Sequence, residues 1–240
     1  MDEDIGERFW AGTKHRRDSR GEPLDWDARP EVYKEYPDAQ KACLPPPALP
    51  ATDLAKAISA RRSTRTFSQE PVALQDVSNI LWATAGINRK ERGMELRNVP
   101  SAGALYPIET YLCVNRVEGL SPGIYHHNVR LNELELLMPG QMGRKVAAAA
   151  LDQRMLEECA IGMVWTAVFQ RQRWKYGQRT FRYVHLDAGH IGQNTALTCA
   201  AMGLGCCHIA AFYDDEVNAL LSVDGVDESV VYMSAIGRPR

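Results

Sequence analysis

Five segments of this 240-residue chain combine residue types that can do chemistry. Arg61-Arg62-Ser63-Thr64-Arg65-Thr66-Phe67 sets three guanidiniums among hydroxyls. Guanidiniums grip phosphate as a planar fork and hydroxyls add short hydrogen bonds, so the segment suits a phosphate-bearing ligand. The same arginines would also suit a helix C-terminus, whose dipole they complement. Val99-Pro100-Ser101-Ala102-Gly103-Ala104-Leu105-Tyr106-Pro107 brackets small residues with prolines, which lets a ligand approach the backbone closely or makes a tight loop into a strand. Gly203-Leu204-Gly205-Cys206-Cys207-His208-Ile209-Ala210-Ala211-Phe212 also ends in small residues. Gly237-Arg238-Pro239-Arg240 adds two more guanidiniums at the C-terminus. Finally, Lys175-Tyr176 lies in a basic stretch with Arg171, Arg173 and Arg179. A half-desolvated lysine can have its pKa lowered toward neutrality and accept a proton, whereas an exposed one is a solvated charge.

The elements that must position these segments follow from periodicity. Thr52 can cap a helix to about Arg62 with Leu54, Ala57 and Ile58 on its inner face. A second helix follows Pro71, with Leu74, Val77, Leu81 and Ala85 at helical spacing and Gly86 at C′. Residues 87–100 are charged and irregular and read as a loop. Strands are predicted at Ile108–Val114, Gly123–His127, Leu134–Met138, Ile161–Phe169, Cys206–Ala211 and Val230–Ile236. Helices are predicted at Gly143–Leu151, from Phe181 to Met202, and from an Asp214 cap through Leu221. Strands and helices mix without strict βαβ alternation, so the class is α+β. Residues 51–240 read as one domain. Residues 1–50, polar and then proline-rich (Leu44-Pro45-Pro46-Pro47), read as an extended arm over the body or a partner chain.

Composition narrows the function classes. The formal net charge is −2, which gives no global field for nucleic acid, and the run Lys14 to Arg20 reads as solvated. The longest apolar run, Ile161 to Phe169, is far short of the roughly 20 residues that span a bilayer. The acidic opening Met1-Asp2-Glu3-Asp4 is unlike a secretory signal, so a cytoplasmic protein is expected. The six cysteines have no framework spacing and read as buried small apolar residues, which is also the reading for Cys206-Cys207-His208. His126 and His127 point to opposite faces of a strand, and His185 and His190 are five apart on a helix. Neither pair suits a metal, and no metal site is expected. No G-x-G-x-x-G follows a strand, so a permanently held nicotinamide is not expected.

Taken together, RRSTRTF, PSAGALYP and a closing strand ending in IGRPR resemble the nitroreductase superfamily. RWKYGQR, AGHIGQN and YKEYP bring the resemblance closest to its SagB-type dehydrogenase branch, which includes the azoline oxidases of peptide natural-product pathways. The resemblance covers roughly residues 55–238. It implies a mainly antiparallel sheet flanked by helices, in a domain-swapped homodimer with FMN at the subunit interface. It implies that Arg61, beside Arg62, holds the phosphate, that Ser63 and Arg65 lie along the ribityl chain and ring edge, and that Arg238 returns to the phosphate. Ser101 and its neighbours Pro100, Ala102, Gly103 and Leu105 would serve the flavin of the other subunit, and backbone near Ile209, Ala210 and Ala211 would donate toward flavin N5. Ala104 stands where classical nitroreductases carry an Asn, which favours the SagB-type reading over nitroaromatic reduction. In azoline oxidases the Lys175-Tyr176 position is the proposed catalytic pair.

The implied activity is dehydrogenation of an azoline-type or other peptide-derived substrate by hydride transfer to the flavin. Two alternatives remain open. One is an NAD(P)H-dependent nitro or quinone reductase, with NAD(P)H as a transient donor. The other is a flavin-binding subunit that works only beside a cyclodehydratase-like partner.

Overall fold

A computed structural model describes residues 4–17 and 23–240. Met1–Glu3 of the acidic opening and Asp18–Arg20 of the basic run lie outside the described residues. In chain order the elements are α1 (Ile5–Gly12), β1 (Gln40–Cys43), α2 (Leu54–Ala60), α3 (Leu74–Ala85), β2 (Ile87–Glu91), β3 (Met94–Arg97), β4 (Ile108–Val114), β5 (Gly123–Asn128), β6 (Glu133–Pro139), α4 (Gly143–Ala149), α5 (Met155–Glu158), β7 (Ile161–Val168), α6 (Gln170–Tyr176), α7 (Thr180–Ala201), β8 (Gly205–Ile209), α8 (Asp214–Leu221) and β9 (Glu228–Gly237).

Among the described residues, seven strands form one sheet in the order β1-β6-β5-β4-β7-β9-β8, antiparallel throughout. Alternation divides its side chains between two cores. Ile108, Leu112 and Val114 of β4 and Met163 and Trp165 of β7 pack under Val77, Ile80 and Leu81 of α3 and Val184, Ala188 and Ile191 of α7. Tyr111, Cys113 and Val164 face the other way, against Val146 and Ala147 of α4, Leu156 of α5 and Val217 and Leu221 of α8. Both faces of β4 and β7 are therefore buried, which explains their mainly apolar sequences, with Glu109, Thr110 and Thr166 as the buried polar exceptions. The α+β class with a mainly antiparallel sheet between helices is the observed architecture.

Several local expectations need correction. The side chain that caps α2 is Asp53, accepting from the Ala55 N–H at 2.8 Å, one residue beyond Thr52. Ala57 is buried, but Leu54 and Ile58 are 64% and 55% exposed, so the expected inner face of α2 is uncovered in the single chain. Gly86 does end α3, at φ −58, outside the left-handed region. A glycine is needed there for room, since a Cβ would lie 2.5 Å from Trp82. Of the expected loop at 87–100, residues 87–97 are a hairpin: β2 and β3 pair around Arg92 (φ 50) and Gly93 (φ 79), the two left-handed positions of a tight turn, and only 98–100 are irregular. Residues 40–43 extend the sheet as β1 along β6. Farther back, the α1 segment receives Arg182 Nη2 at the Trp10 carbonyl, 2.6 Å away, and Arg179 Nη1 at the Thr13 carbonyl.

Candidate functional site

The first, third and fourth chemical segments meet beyond the free edge of β8. Arg61 follows α2 with its N–H still bonded to Ala57 O, and the chain then extends. Ser63 bridges Cys206 in parallel register and Thr64 N–H donates to Cys206 O at 3.0 Å. Position 205 must be glycine, because a Cβ would sit 2.6 Å from Thr64 Cγ2. Next, Phe67 pairs with Pro239 and Ser68 N–H donates to Arg238 O at 2.9 Å. The result is a cleft of about 190 Å³ lined by Arg61, Arg62, Thr64, Gly205, Cys206 and Pro239. Arg61 and Arg62 are exposed within it, whereas Ser63 and Arg65, also exposed, interact with Cys207. The Arg238 backbone joins this cluster, but its guanidinium donates to Pro71 O at 3.1 Å and lies 3.9 Å from Glu70. Ile209 is buried in β8, which ends there; Ala210 and Ala211 are exposed beyond it.

The second and fifth segments meet elsewhere. Ser101 Oγ donates to Asp187 Oδ2 at 2.6 Å and accepts the Tyr106 N–H at 2.9 Å. Ala102 N–H donates to Asp187 Oδ1, and Gln172 Nε2 to Oδ2 at 2.9 Å. Between these anchors the backbone is left-handed at Gly103 (φ 65), Ala104 (φ 52) and Tyr106 (φ 44). Strain of this kind persists where its surroundings enforce it, and it concentrates at functional sites. A Cβ on Gly103 would lie 2.4 Å from Tyr176 Oη and 3.1 Å from Lys175 Nζ, so both side chains close onto this loop. Lys175 Nζ is 5.4 Å from the Tyr176 ring centroid, and Tyr176 also meets Tyr183 edge-on at 5.0 Å. Burial pushes the Tyr176 phenol above its ordinary value, with Tyr183 and Asp187 adding to the shift.

α7 separates the two groups in one chain. The loop packs at Asp187 and Ile191, and the arginine cleft at Ala196 and Ala200. At 1.5 Å per helical residue Asp187, which holds Ser101, is about 14–20 Å from Ala196 and Ala200. Arg61 and Ser101 are therefore not brought together within one chain.

Asp187, Gln172 and Arg171 were missed as site residues. The available signal was an acid at the apolar spacing Val184, Asp187, Ala188, Ile191, whose carboxylate must be bonded inside. Arg171 lies at the head of a buried charge chain. It pairs with Glu109 Oε1 and donates to Tyr106 O at 3.3 Å and, through Nε, to Glu31 O at 2.9 Å. Glu109 Oε2 is 3.0 Å from His126 Nε2, whose Nδ1 is 2.7 Å from Glu135 Oε2. Lys41 of β1 closes the chain at 2.5 Å from Glu135. Burial pushes the Glu109 carboxyl up, but Arg171 and His126 outweigh it and hold the group at about 2. Glu135 is likewise held at about 2, against burial, by hydrogen bonds from His126, Lys41 and Asn128. His126 is raised, its two carboxylates overcoming burial. Its neighbour His127, buried without a hydrogen-bond partner among the described residues, is depressed to about 3 by burial.

Residues 58–238 match the nitroreductase family. The chain belongs to the nitroreductase family. It is 37% identical over 163 residues, covering 68% of this chain and 81% of the other, to a Methanocaldococcus jannaschii protein provisionally named nitroreductase MJ1384. It is 29% identical over 161 residues to the trifolitoxin-processing protein TfxB of Rhizobium leguminosarum bv. trifolii, covering 65% of this chain and 43% of that one. A 27% identity over 139 residues relates 55% of the chain to 50% of the microcin B17-processing protein McbC of Escherichia coli. The chain thus spans about half the length of these two relatives, which support its placement in the SagB-type branch of the nitroreductase superfamily. Among solved structures, a provisionally named nitroreductase from Anabaena variabilis superposes on 98% of this chain and 47% of its own, with a TM-score of 0.80 and 27% identity. The E. coli microcin synthetase McbBCD complex with truncated pro-MccB17 shares the fold (TM-score 0.64, 19% identity, 85% of this chain and 79% of that one). A nitroreductase-family chain is an oxidoreductase. No described helix is long and apolar enough to cross a membrane.

Proposed function

We propose that this nitroreductase-family chain binds FMN between two copies of itself and dehydrogenates an azoline-type ring in a peptide-derived substrate. The observation that carries the reading is the closure of Lys175 Nζ and Tyr176 Oη onto the small-residue loop at Gly103. The peptide-processing relatives suggest the substrate class.

The donor set fits FMN. A phosphate dianion needs two or more cationic donors, and Arg61 and Arg62 line a cleft that excludes side chains at Gly205, with Arg65 exposed farther along the same segment. Arg238 joins them if its guanidinium turns from Pro71. Ser63 would then lie along the ribityl chain, and the exposed backbone at Ala210 and Ala211 at the ring edge. The distance along α7 between Arg61 and Ser101 supports a second copy as the source of the Pro100–Leu105 loop. Exposed Leu54, Ile58 and Leu186 on α2 and α7 give that copy an apolar face.

A bound flavin would supply the redox chemistry, as the acceptor of a hydride. Lys175 takes the substrate proton at Nζ, while Tyr176 Oη orients the ring. Both are half-buried, which limits water at the pair. NAD(P)H would visit the flavin face and leave. A cyclodehydratase-like partner would supply the ring, in the cytoplasm.

Lys175→Ala tests this. FMN should stay bound and reducible by dithionite, while turnover of thiazoline and oxazoline peptides falls about 10²–10⁴-fold, the contribution of a positioned base. Loss of flavin would make Lys175 a cofactor ligand, and unchanged turnover would make it a bystander. The second reading, an NAD(P)H-dependent reductase, draws on the shared fold of an NADPH:FMN oxidoreductase from Vibrio harveyi. NAD(P)H oxidation with nitro or quinone acceptors, without peptide turnover, would favour it.

A further inference from the structure

The Ser101–Tyr106 loop is gripped at both ends by residues outside the catalytic pair. At its start, the Asp187 carboxylate accepts three hydrogen bonds, from Ser101 Oγ, Ala102 N–H and Gln172 Nε2. At its end, Tyr106 O accepts from Arg171, which is itself anchored on Glu109. Gln172 and Arg171 are adjacent residues in the first turn of α6, the helix whose last two residues are Lys175 and Tyr176. One short helix thus holds the end of the loop directly and its start through Asp187 of α7, and touches its middle at Gly103. Asp187 is 4% exposed and Gln172 fully buried, so neither bond set is exchanged with solvent. A buried carboxylate lowers its desolvation cost only through such donors.

We propose that Asp187 is a positioning residue, which through Gln172 and the Ser101–Ala102 turn fixes the loop against Lys175 and Tyr176. The inference rests on the catalytic reading of that pair. It also assigns a role to the Ser101 hydroxyl. Its one proton goes to Asp187 and one lone pair takes the Tyr106 N–H, so toward a ligand it acts only as an acceptor. The ligand group at Ser101 is therefore a donor, such as an N–H or O–H.

The test combines turnover of azoline peptides with amide hydrogen exchange of the protein without substrate. Asp187→Ala leaves three donors without an acceptor. Exchange at Ala102 and Tyr106 should speed at least tenfold while the rest of α7 keeps its protection. Turnover should fall about tenfold or more, chiefly in kcat. Asp187→Asn, which keeps one carbonyl oxygen, should recover part of both. If Asp187→Ala does not fold, Gln172→Leu and Ser101→Ala each remove one of the three bonds and should loosen the same amides. Unchanged exchange and turnover would overturn the proposal, as would slower turnover with fully protected amides, since Asp187 would then act by another route. Exchange is read whether or not azolines are substrates. If wild type turns over none of them, the catalytic reading falls, and Asp187's hold on the loop is still decided by its amides.

Discussion

Gly103→Ala puts one methyl group where the two candidate halves of the active site touch. The residue sits at φ 65, where alanine costs roughly 1–2 kcal/mol. The new Cβ would lie 2.4 Å from Tyr176 Oη, about 1 Å inside ordinary contact, and 3.1 Å from Lys175 Nζ. The hydroxyl is the far end of a side chain, so it can yield, and the fold should survive. For a domain of this size the conformational cost corresponds to a fall in Tm of about 2–8 °C. The displacement of Tyr176 by about 1 Å should reduce turnover of azoline peptides by up to about 100-fold, the usual penalty for misplacing a reacting group by that distance. Scanning calorimetry, flavin content and steady-state turnover are read on the same preparation. Wild-type Tm and turnover in Gly103→Ala would refute both the left-handed loop and its contact with the pair.

Glu109 is held at about 2, below its ordinary 4.5, so the stability it contributes is present above about 4.5 and lost as pH falls toward 2. For this buried group that is on the order of 3 kcal/mol, and urea unfolding between pH 6 and about 3 should show the loss. His126, raised, contributes stability below its ordinary 6.5 that is lost as pH rises through its folded value. His126→Ala should cost about 3–5 kcal/mol, because it leaves Glu109 and Glu135 facing each other with one cation fewer. Arg61→Ala and Arg238→Ala should each weaken FMN about ten- to a hundredfold, one charge-assisted bond of about 1.5–3 kcal/mol, and fluorescence titration of FMN measures it. Light scattering of flavin-bound protein should give twice 26.8 kDa, and the mass of a single chain would contradict the shared site.

Several elements were legible in the sequence: β4 and β7 by their mainly apolar runs, α3 by its spacing, and α7 by its length up to the stop at Gly203. The hairpin β2–β3 was not, because Asn88, Arg89, Lys90 and Glu91 are solvated and show no alternation; only the glycine at position 93 marked its turn. β1 was hidden for a similar reason: Gln40, Lys41 and Cys43 are exposed, and the strand is held by its pairing with β6. α6 follows β7 after only Phe169, with no breaker between them, so its register could not be read ahead. Leu54 and Ile58 looked like core because helical spacing records an apolar face without saying what covers it. At the candidate site, residue types pointed to Arg61, Ser101 and Lys175. The grip of Asp187 and Arg171 depends on contacts between residues 65 to 140 positions apart in sequence, or in the case of Ser101 and Asp187 86 positions, which no local pattern encodes.

The central claim is that this chain is a flavin enzyme, and the visible spectrum of the purified protein tests it most directly. The protein should be yellow, heat should release the chromophore, and chromatography should identify it as FMN rather than FAD, at about one per chain because the arginine cleft offers a single monophosphate site. Colourless protein that takes up no added FMN, or protein that carries FAD, would contradict the account.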